Sequence, residues 1–429
     1  MARKQKEITA DTLPLVAIDL GSDSVRALAA RRIENAENKD LFHILGVEQS
    51  RKFPNAIERG VVAQTSNTGY MISEVLRLLA NRIGVNSLPT AFVTIGGRSM
   101  RIVHVSSKRD QIHPRPVSKQ LLEDMTRECK RKIEQRYPEI IVLGLVPAYY
   151  VLDGQEQEQA PKEDQAVVMV EAHFIAFYGK RELDDQLQKS FDQAGRSIES
   201  AFLRPEALLS AFACVDGDEV LQHGCAVLDF GAQTTTLTVF KRTTYLFNIV
   251  LPQGGLHITR AIAQQGISEP TAEKLKCKYG FASPSQVERN LRLSINDSVN
   301  GEIIFTSASL AGIIEQKLEE ILSPLMQEFA KYEDRIETLY ITGGGSMLNG
   351  LDAFVQQHTK VKVLYGAHDT LLDTTTDAKY FEPGYSSLVG AILLGSDYRA
   401  EHRGEPVKKS KWVDRLKDGT LKIFLDDEY

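Results

Sequence analysis

At 429 residues, 42% hydrophobic and 25% charged, the chain is too long for one ordinary core and too apolar to be mainly disordered. A net charge of −6 gives no electrostatic footprint for nucleic acid, and the four cysteines (Cys129, Cys214, Cys225, Cys277) show neither a C-x-x-C pair nor zinc spacing, so free thiols in a reducing compartment are expected. Residues 1–11 lack the apolar core of a signal peptide, and the apolar run 388–394 is far too short for a bilayer, so a soluble chain, at most lying on a membrane, is expected.

After a frayed start over 1–13, residues 16–28 (VAIDLGSDSVRAL) read as an apolar strand ending at Asp19, a turn at Gly21, and a second strand. Residues 42–48 continue a sheet edge, and 52–62 form a loop into another short strand. Apolar spacing at Met71, Val75, Leu78, Leu79 and Ile83 predicts a helix over 67–83, capped by Asn67 and ended by Gly84. Residues 91–97 are a strand running into the pair Gly96-Gly97, expected as a simple exit turn, since no Lys or Asp completes a phosphate loop there.

From 98 to about 165 the texture changes. Short strands over 99–106, 140–145 and 148–152 surround a charged helix over 118–137, and the whole reads as an inserted α+β subdomain. Residues 167–177 are expected to return to the main sheet, with His173 on a strand face. A helix over 181–195, a strand over 197–202 and a small-residue helix over 205–215 follow.

Residues 227–240 (VLDFGAQTTTLTVF) repeat the first hairpin: Asp229 ends a strand, Gly231 turns it, and a Thr-rich strand returns. Such turns offer backbone N–H groups and hydroxyls to an anion, and the carboxylate can hold a hydrated Mg²⁺. Two such hairpins suggest duplicated halves facing each other across a nucleotide. Residues 251–259 are a glycine turn opening a helix, whose amides suit either an anion or capping. The helix over 271–280 places Glu273 and Lys276 on one face. A long amphipathic helix covers 308–332. At 338–351 a strand runs into Gly343, Gly344 and Gly345; three glycines cost backbone entropy, which points to close approach of a flat ligand. A second small-residue helix over 384–395 would pair with 205–215.

The last stretch differs in kind. A polar linker over 397–407 precedes 408–424, where six cations (Lys408, Lys409, Lys411, Arg415, Lys417, Lys422) outweigh two anions (Asp414, Asp418). Trp412, Val413, Leu416, Ile423 and Phe424 fall in one helical stripe roughly 120° wide. This suits an anionic membrane surface, weakened by Gly419 and the acidic end 426–429.

The order of these segments resembles the actin/heat-shock-protein-70/sugar-kinase ATPase superfamily over roughly 14–396, and within it the FtsA family of bacterial cell-division proteins. The insertion, the Ala-Glu-x-x-Lys-x-x-x-Gly helix at 272–280 and the amphipathic tail carry that likeness. It implies an α/β actin-like ATPase fold: two domains around a nucleotide cleft, with an inserted α+β subdomain and a C-terminal amphipathic tail. The first domain would comprise 14–88, 166–225 and 384–396, with the insertion at 89–165. The second would be 226–383 (its own subdomain about 252–305), followed by linker 397–407 and membrane tail 408–429, with the two small-residue helices as the hinge.

The resemblance further implies ATP and Mg²⁺ as ligands. Asp19 and Asp229 would hold Mg²⁺ through water, Gly21, Ser22, Ser24, Gly231 and Thr234 would contact phosphates, Glu273 and Lys276 would flank ribose and adenine, and Gly343–Gly345 would lie against adenosine. It implies a peripheral protein on the inner membrane face at the division septum, self-associating into filaments and tethering FtsZ filaments. Two departures argue against efficient hydrolysis: Ala232-Gln233 replaces two glycines of the usual second phosphate turn, and Pro205-Glu206 replaces the usual Glu-Pro. No catalytic residue is assigned. A phosphotransferase or ATPase, or a pilus-assembly relative, is the alternative.

Overall fold

In the computed structural model, the described residues are 14–33, 41–98, 100–157, 160–162, 165–216, 223–241, 244–297, 301–366, 368, 371–373 and 375–402. The tail residues Trp412, Val413, Leu416, Ile423 and Phe424, and the linker beyond 402, lie outside them.

Two five-stranded sheets carry the architecture, and they have the same topology. In the first, Ser197–Leu203, Thr90–Ile95, Leu15–Leu20, Val25–Ile33 and Leu41–Ser50 lie side by side. In the second the corresponding order is Lys362–Tyr365, Thr338–Thr342, Cys225–Phe230, Thr235–Lys241 and Thr244–Leu251. In each, the central strand pairs antiparallel with its hairpin partner and parallel with a later strand. The register is also repeated: Asp19 stands opposite Thr94, and Asp229 opposite Thr342. Both central strands are buried along their whole length, which is why they read as unbroken apolar runs around one carboxylate.

The first sheet is covered on both faces. Val16, Ile18 and Leu20 point to the side of the Thr65–Ile83 and Glu182–Gln193 helices, while Leu15 and Ala17 point to the Ser386–Glu401 helix. Arg204–Asp216 is wedged between the halves: Phe212 stacks on Tyr340 of the second sheet at 5.1 Å, while Ala207 meets Gly390 on the other helix. A Cβ at Gly390 would collide with the Ala207 carbonyl, so the expected pairing of small-residue helices is observed at backbone contact. The Ser307–Phe329 helix buries Leu310, Ile314, Leu318, Ile321 and Leu325 against the second sheet.

The inserted subdomain is a separate antiparallel sheet, in the order Arg101–Pro116, Ala166–Lys180, Ile140–Leu152, Gln155–Gln157, with its own core around Met125, Cys129, Ile133 and Phe174. This corrects one expectation. Residues 167–177 do not return to the main sheet; they form the inner strand of the insertion, paired on both sides. Alternating apolar residues suit either sheet, and only the partners decide. Conversely Thr90–Ile95, placed by the sequence at the edge of the insertion, belongs to the first main sheet. His173 sits on the strand face, stacked on Tyr149 at 4.2 Å.

Helix ends follow capping chemistry. Ser118 accepts the Leu121 N–H and starts the Lys119–Arg136 helix. Gly84 ends the Thr65–Ile83 helix in the left-handed region, as expected, but that helix starts two residues before Asn67. The Ser386–Glu401 helix runs through the first five residues of the predicted linker. Among the described residues no helix is long and apolar enough to cross a membrane.

Candidate functional site

The cleft is built from the two hairpins. In each, the glycine N–H closes the turn on a carbonyl three residues on: Gly21 to Ser24 at 3.1 Å, and Gly231 to Thr234 at 2.9 Å. Asp19 and Asp229 are thereby held at the ends of buried strands, at 8% and 9% exposure, facing one cavity of ≈ 290 Å³. Gly21, Ser22, Ser24, Gly231, Glu273, Lys276, Gly343, Gly344 and Gly345 line the same cavity. Thr234 does not; its carbonyl serves the turn and it contributes no lining atom.

The Gly255–Ala263 helix resolves the open question of its first amides. Gly255 and Leu256 donate to the carbonyls of Gly231 and Ala232 at 2.9 and 2.8 Å, and the Gly254 N–H donates to His257 Nδ1 at 3.1 Å. The Gly255 and Leu256 N–H groups thus fasten the second hairpin and the Gly254 N–H is taken by the helix's own His257, so none of the three awaits an anion. Burial lowers the His257 pKa, with neighbouring Arg260 adding to it, so the neutral ring accepts that bond.

Lys276 is fixed by three acceptors: Glu273 at 2.7 Å, Thr259 Oγ1 at 2.9 Å and the Gly255 carbonyl at 3.0 Å. Burial opposes the Glu273 charge, but Lys276 and the Thr259 hydroxyl outweigh it and hold its pKa below the ordinary value. The pair is a rigid polar ledge at one end of the cavity.

The triple glycine has a partly different cause from the one the sequence suggests. Gly343 has φ 88°, and a Cβ there would strike the Asp229 carboxylate; a Cβ on Gly345 would lie 2.6 Å from the Phe230 ring. Both glycines are therefore required by the protein's own packing. Gly344 alone has space above it, with Arg26 Nη2 the nearest group at 3.7 Å.

Gln233 turns away from the cavity. Its Oε1 accepts the Arg59 N–H at 2.9 Å, while the next amide, Gly60, donates to Ser22 Oγ at 3.0 Å. One short turn, with Arg59 and Gly60 both at positive φ, thus bridges the two hairpins. Gly97 makes room for it, because a Cβ there would strike the Arg59 carbonyl.

Sequence reasoning missed the arginines. Arg26 donates to Ser24 Oγ (3.2 Å) and to the Gly384 carbonyl (3.1 Å), spanning the cleft wall. Arg204 donates to Asp19 Oδ1, and its Nη1 stands 3.8 Å from Asp229 Oδ2. Burial works against the Arg204 charge, yet the two carboxylates hold its pKa above the usual value. Burial pushes the Asp229 carboxyl up, countered by Arg204. The available signal was a lone cation directly after the apolar strand Ser197–Leu203. Glu206, two residues on, does not line the cavity; it is buried behind it, and desolvation raises its pKa to about 7.

The family model "Cell division protein FtsA" matches residues 226–390. Cell division protein FtsA of Streptococcus pneumoniae is 23% identical over 358 residues, covering 81% of this chain and 74% of that protein. FtsA of Pseudomonas aeruginosa is 23% identical over 410 residues, 93% of each chain. Among solved structures, the PilM-PilN type IV pilus biogenesis complex superposes with TM-score 0.65 at 17% identity, over 89% of this chain and 98% of that one. MreB5 of Spiroplasma citri bound to ADP gives 0.50 at 12%, over 92% and 100%. The structural likenesses establish the actin-like ATPase fold, and the sequence is similar to the FtsA cell-division proteins.

Proposed function

We propose, from that similarity, that the chain is an actin-like, ATP-binding cell-division protein that self-associates and tethers FtsZ filaments to the inner face of the membrane at the septum. The observation that carries the nucleotide part is the convergence of eleven of the twelve expected contact residues on one cavity between two duplicated hairpins. In this reading Gly21, Ser22, Ser24 and Gly231 meet phosphates, Gly344 lies under the base or sugar, and the Glu273–Lys276 ledge fixes its polar edge. When bound, ATP would supply charge and bulk that draw the two hairpins together; the chain's own residues bind and orient it.

Asp19 and Asp229 are the pair that the resemblance assigns to hydrated Mg²⁺. Arg204 stands between them, so as they are arranged they do not form a free dication site. Glu206, buried away from the cavity, has no route to an attacking water, which favours binding as a structural switch over turnover.

Support for the membrane and FtsZ parts is the FtsA similarity together with the basic, Trp-bearing stretch 408–424. Two measurements test the proposal. ATP should raise the melting temperature of the purified chain, and no shift at saturating ATP would remove the nucleotide assignment. Deleting 408–429 should abolish co-sedimentation with anionic liposomes while leaving capture of FtsZ's C-terminal peptide intact. Full liposome binding without the tail would refute the tail's role, and loss of FtsZ capture by the full chain would refute the tether.

A further inference from the structure

The placement of Arg204 conflicts with a bound dication and supplies an alternative to it. Arg204 is the first residue of its helix, directly after Leu203. Its side chain is 19% exposed and lines the cavity beside Leu208, between the two phosphate turns. The guanidinium bonds Asp19 and neighbours Asp229, so both carboxylates already share one fixed positive charge.

The seat for this arginine is built in from the other side. Gly96 packs under its stem: a Cβ there would lie 3.1 Å from both Arg204 Cβ and Nε. By register, Gly96-Gly97 occupies in the first half the place that Gly344-Gly345 occupies in the second, since Thr94 and Thr342 each pair with the hairpin Asp. The glycine pair that looked like a plain exit turn is thus the bed of Arg204 and of the Arg59–Gly60 bridge.

Hydrated Mg²⁺ needs carboxylate lone pairs and room for its waters, and it would have to enter within a few ångströms of a guanidinium anchored at both stem and head. A guanidinium, by contrast, carries several N–H donors in a planar fork that matches phosphate oxygens, and among the described residues only Asp19 takes one within hydrogen-bond distance. Both carboxylates and the arginine line the cavity together with Gly21, Ser22, Ser24 and Gly231, the residues that the nucleotide reading above assigns to phosphates.

We propose that Arg204 replaces the divalent cation of this cleft: it is the resident counter-charge for a nucleotide's phosphates, and ATP binds without Mg²⁺. The inference rests on the nucleotide reading above, and the experiment separates the two. Equilibrium binding of ATP to the full chain is measured in excess MgCl₂ and in EDTA, for wild type, Arg204→Gln and Arg204→Lys.

The wild-type affinities should agree within about threefold in the two buffers. Arg204→Gln should bind at least about tenfold more weakly than wild type in EDTA, the loss expected for one charge-assisted contact, and Arg204→Lys should recover part of it. A wild type that loses about tenfold or more on chelation, or an Arg204→Gln variant that binds in EDTA as wild type does, overturns the proposal while leaving nucleotide binding standing. Absence of ATP binding in both buffers overturns both. The wild-type arms require no variant, so a misfolded substitution leaves the proposal testable.

Discussion

Replacing Glu206 by Gln should make the stability of this protein less dependent on pH. Glu206 is 2% exposed; one oxygen accepts the Leu203 N–H at 3.3 Å, and Oε1 has no hydrogen-bond partner among the described residues. Desolvation raises its pKa from 4.5 to about 7. Between those values the unfolded chain releases the proton while the folded chain keeps it. Stability contributed by the neutral carboxyl is therefore fully present below pH 4.5 and is lost as pH rises through about 7. At 1.36 kcal/mol per unit the loss is about 3 kcal/mol, with no screening discount because the group is buried. Glutamine keeps the acceptor for Leu203 but adds an amide donor, which shifts stability by about 1–3 kcal/mol at every pH. The diagnostic quantity is thus a difference of differences, read from urea unfolding of both proteins across the window. The variant should gain about 3 kcal/mol on wild type between pH 4.5 and about pH 8. A gap that stays constant within about 0.5 kcal/mol over that range would refute the buried, neutral carboxyl.

Two further outcomes follow from close contacts. Gly390→Ala gains about 1 kcal/mol of intrinsic helix propensity, yet its Cβ would collide with the Ala207 carbonyl, so a net loss of about 1–3 kcal/mol and a lower melting temperature are expected. An unchanged or raised melt would show that the two helices do not touch there. Gln233→Ala removes the acceptor for the Arg59 N–H, worth about 1 kcal/mol, so amide exchange at Arg59 should quicken about fivefold. Equal exchange in both proteins would rule out the bridge.

Much of the fold was legible because it is written locally. A glycine two residues after a strand-ending Asp marks both hairpins, and Ser118 and Gly84 mark helix ends by capping chemistry. What was not legible depended on partners distant in the chain. The strand Ala166–Lys180 carries an alternation that any half-buried sheet accepts, so only pairing with Arg101–Pro116 and Ile140–Leu152 assigns it to the insertion. Eleven expected site residues reach the cavity because their motifs fix local geometry. Thr234 does not line it; its carbonyl closes the turn by accepting the Gly231 N–H. Arg204 escaped notice because a single cation acquires meaning only when two carboxylates, from strands two hundred residues apart, are folded around it. Glycine was likewise ambiguous: Gly343 and Gly345 make way for Asp229 and Phe230, a reason invisible without the packed loop.

The Ser386–Glu401 helix joins the cleft to the edge of the first sheet. Just before its first turn, the Gly384 carbonyl takes the Arg26 guanidinium of the first hairpin and the Pro383 carbonyl takes the Thr342 hydroxyl of the second sheet. Near its last turn, Arg399 grips Glu199 at 2.6 Å and the Pro14 carbonyl at 3.2 Å. Sixteen residues make a rod about 24 Å long, pinned to both cleft walls at one end and to the far edge of the first sheet at the other. Because Leu388, Ala391 and Ile392 also lie on the first sheet along its length, the rod cannot tilt away from that half, and His402 stands at a fixed distance and heading from the cleft.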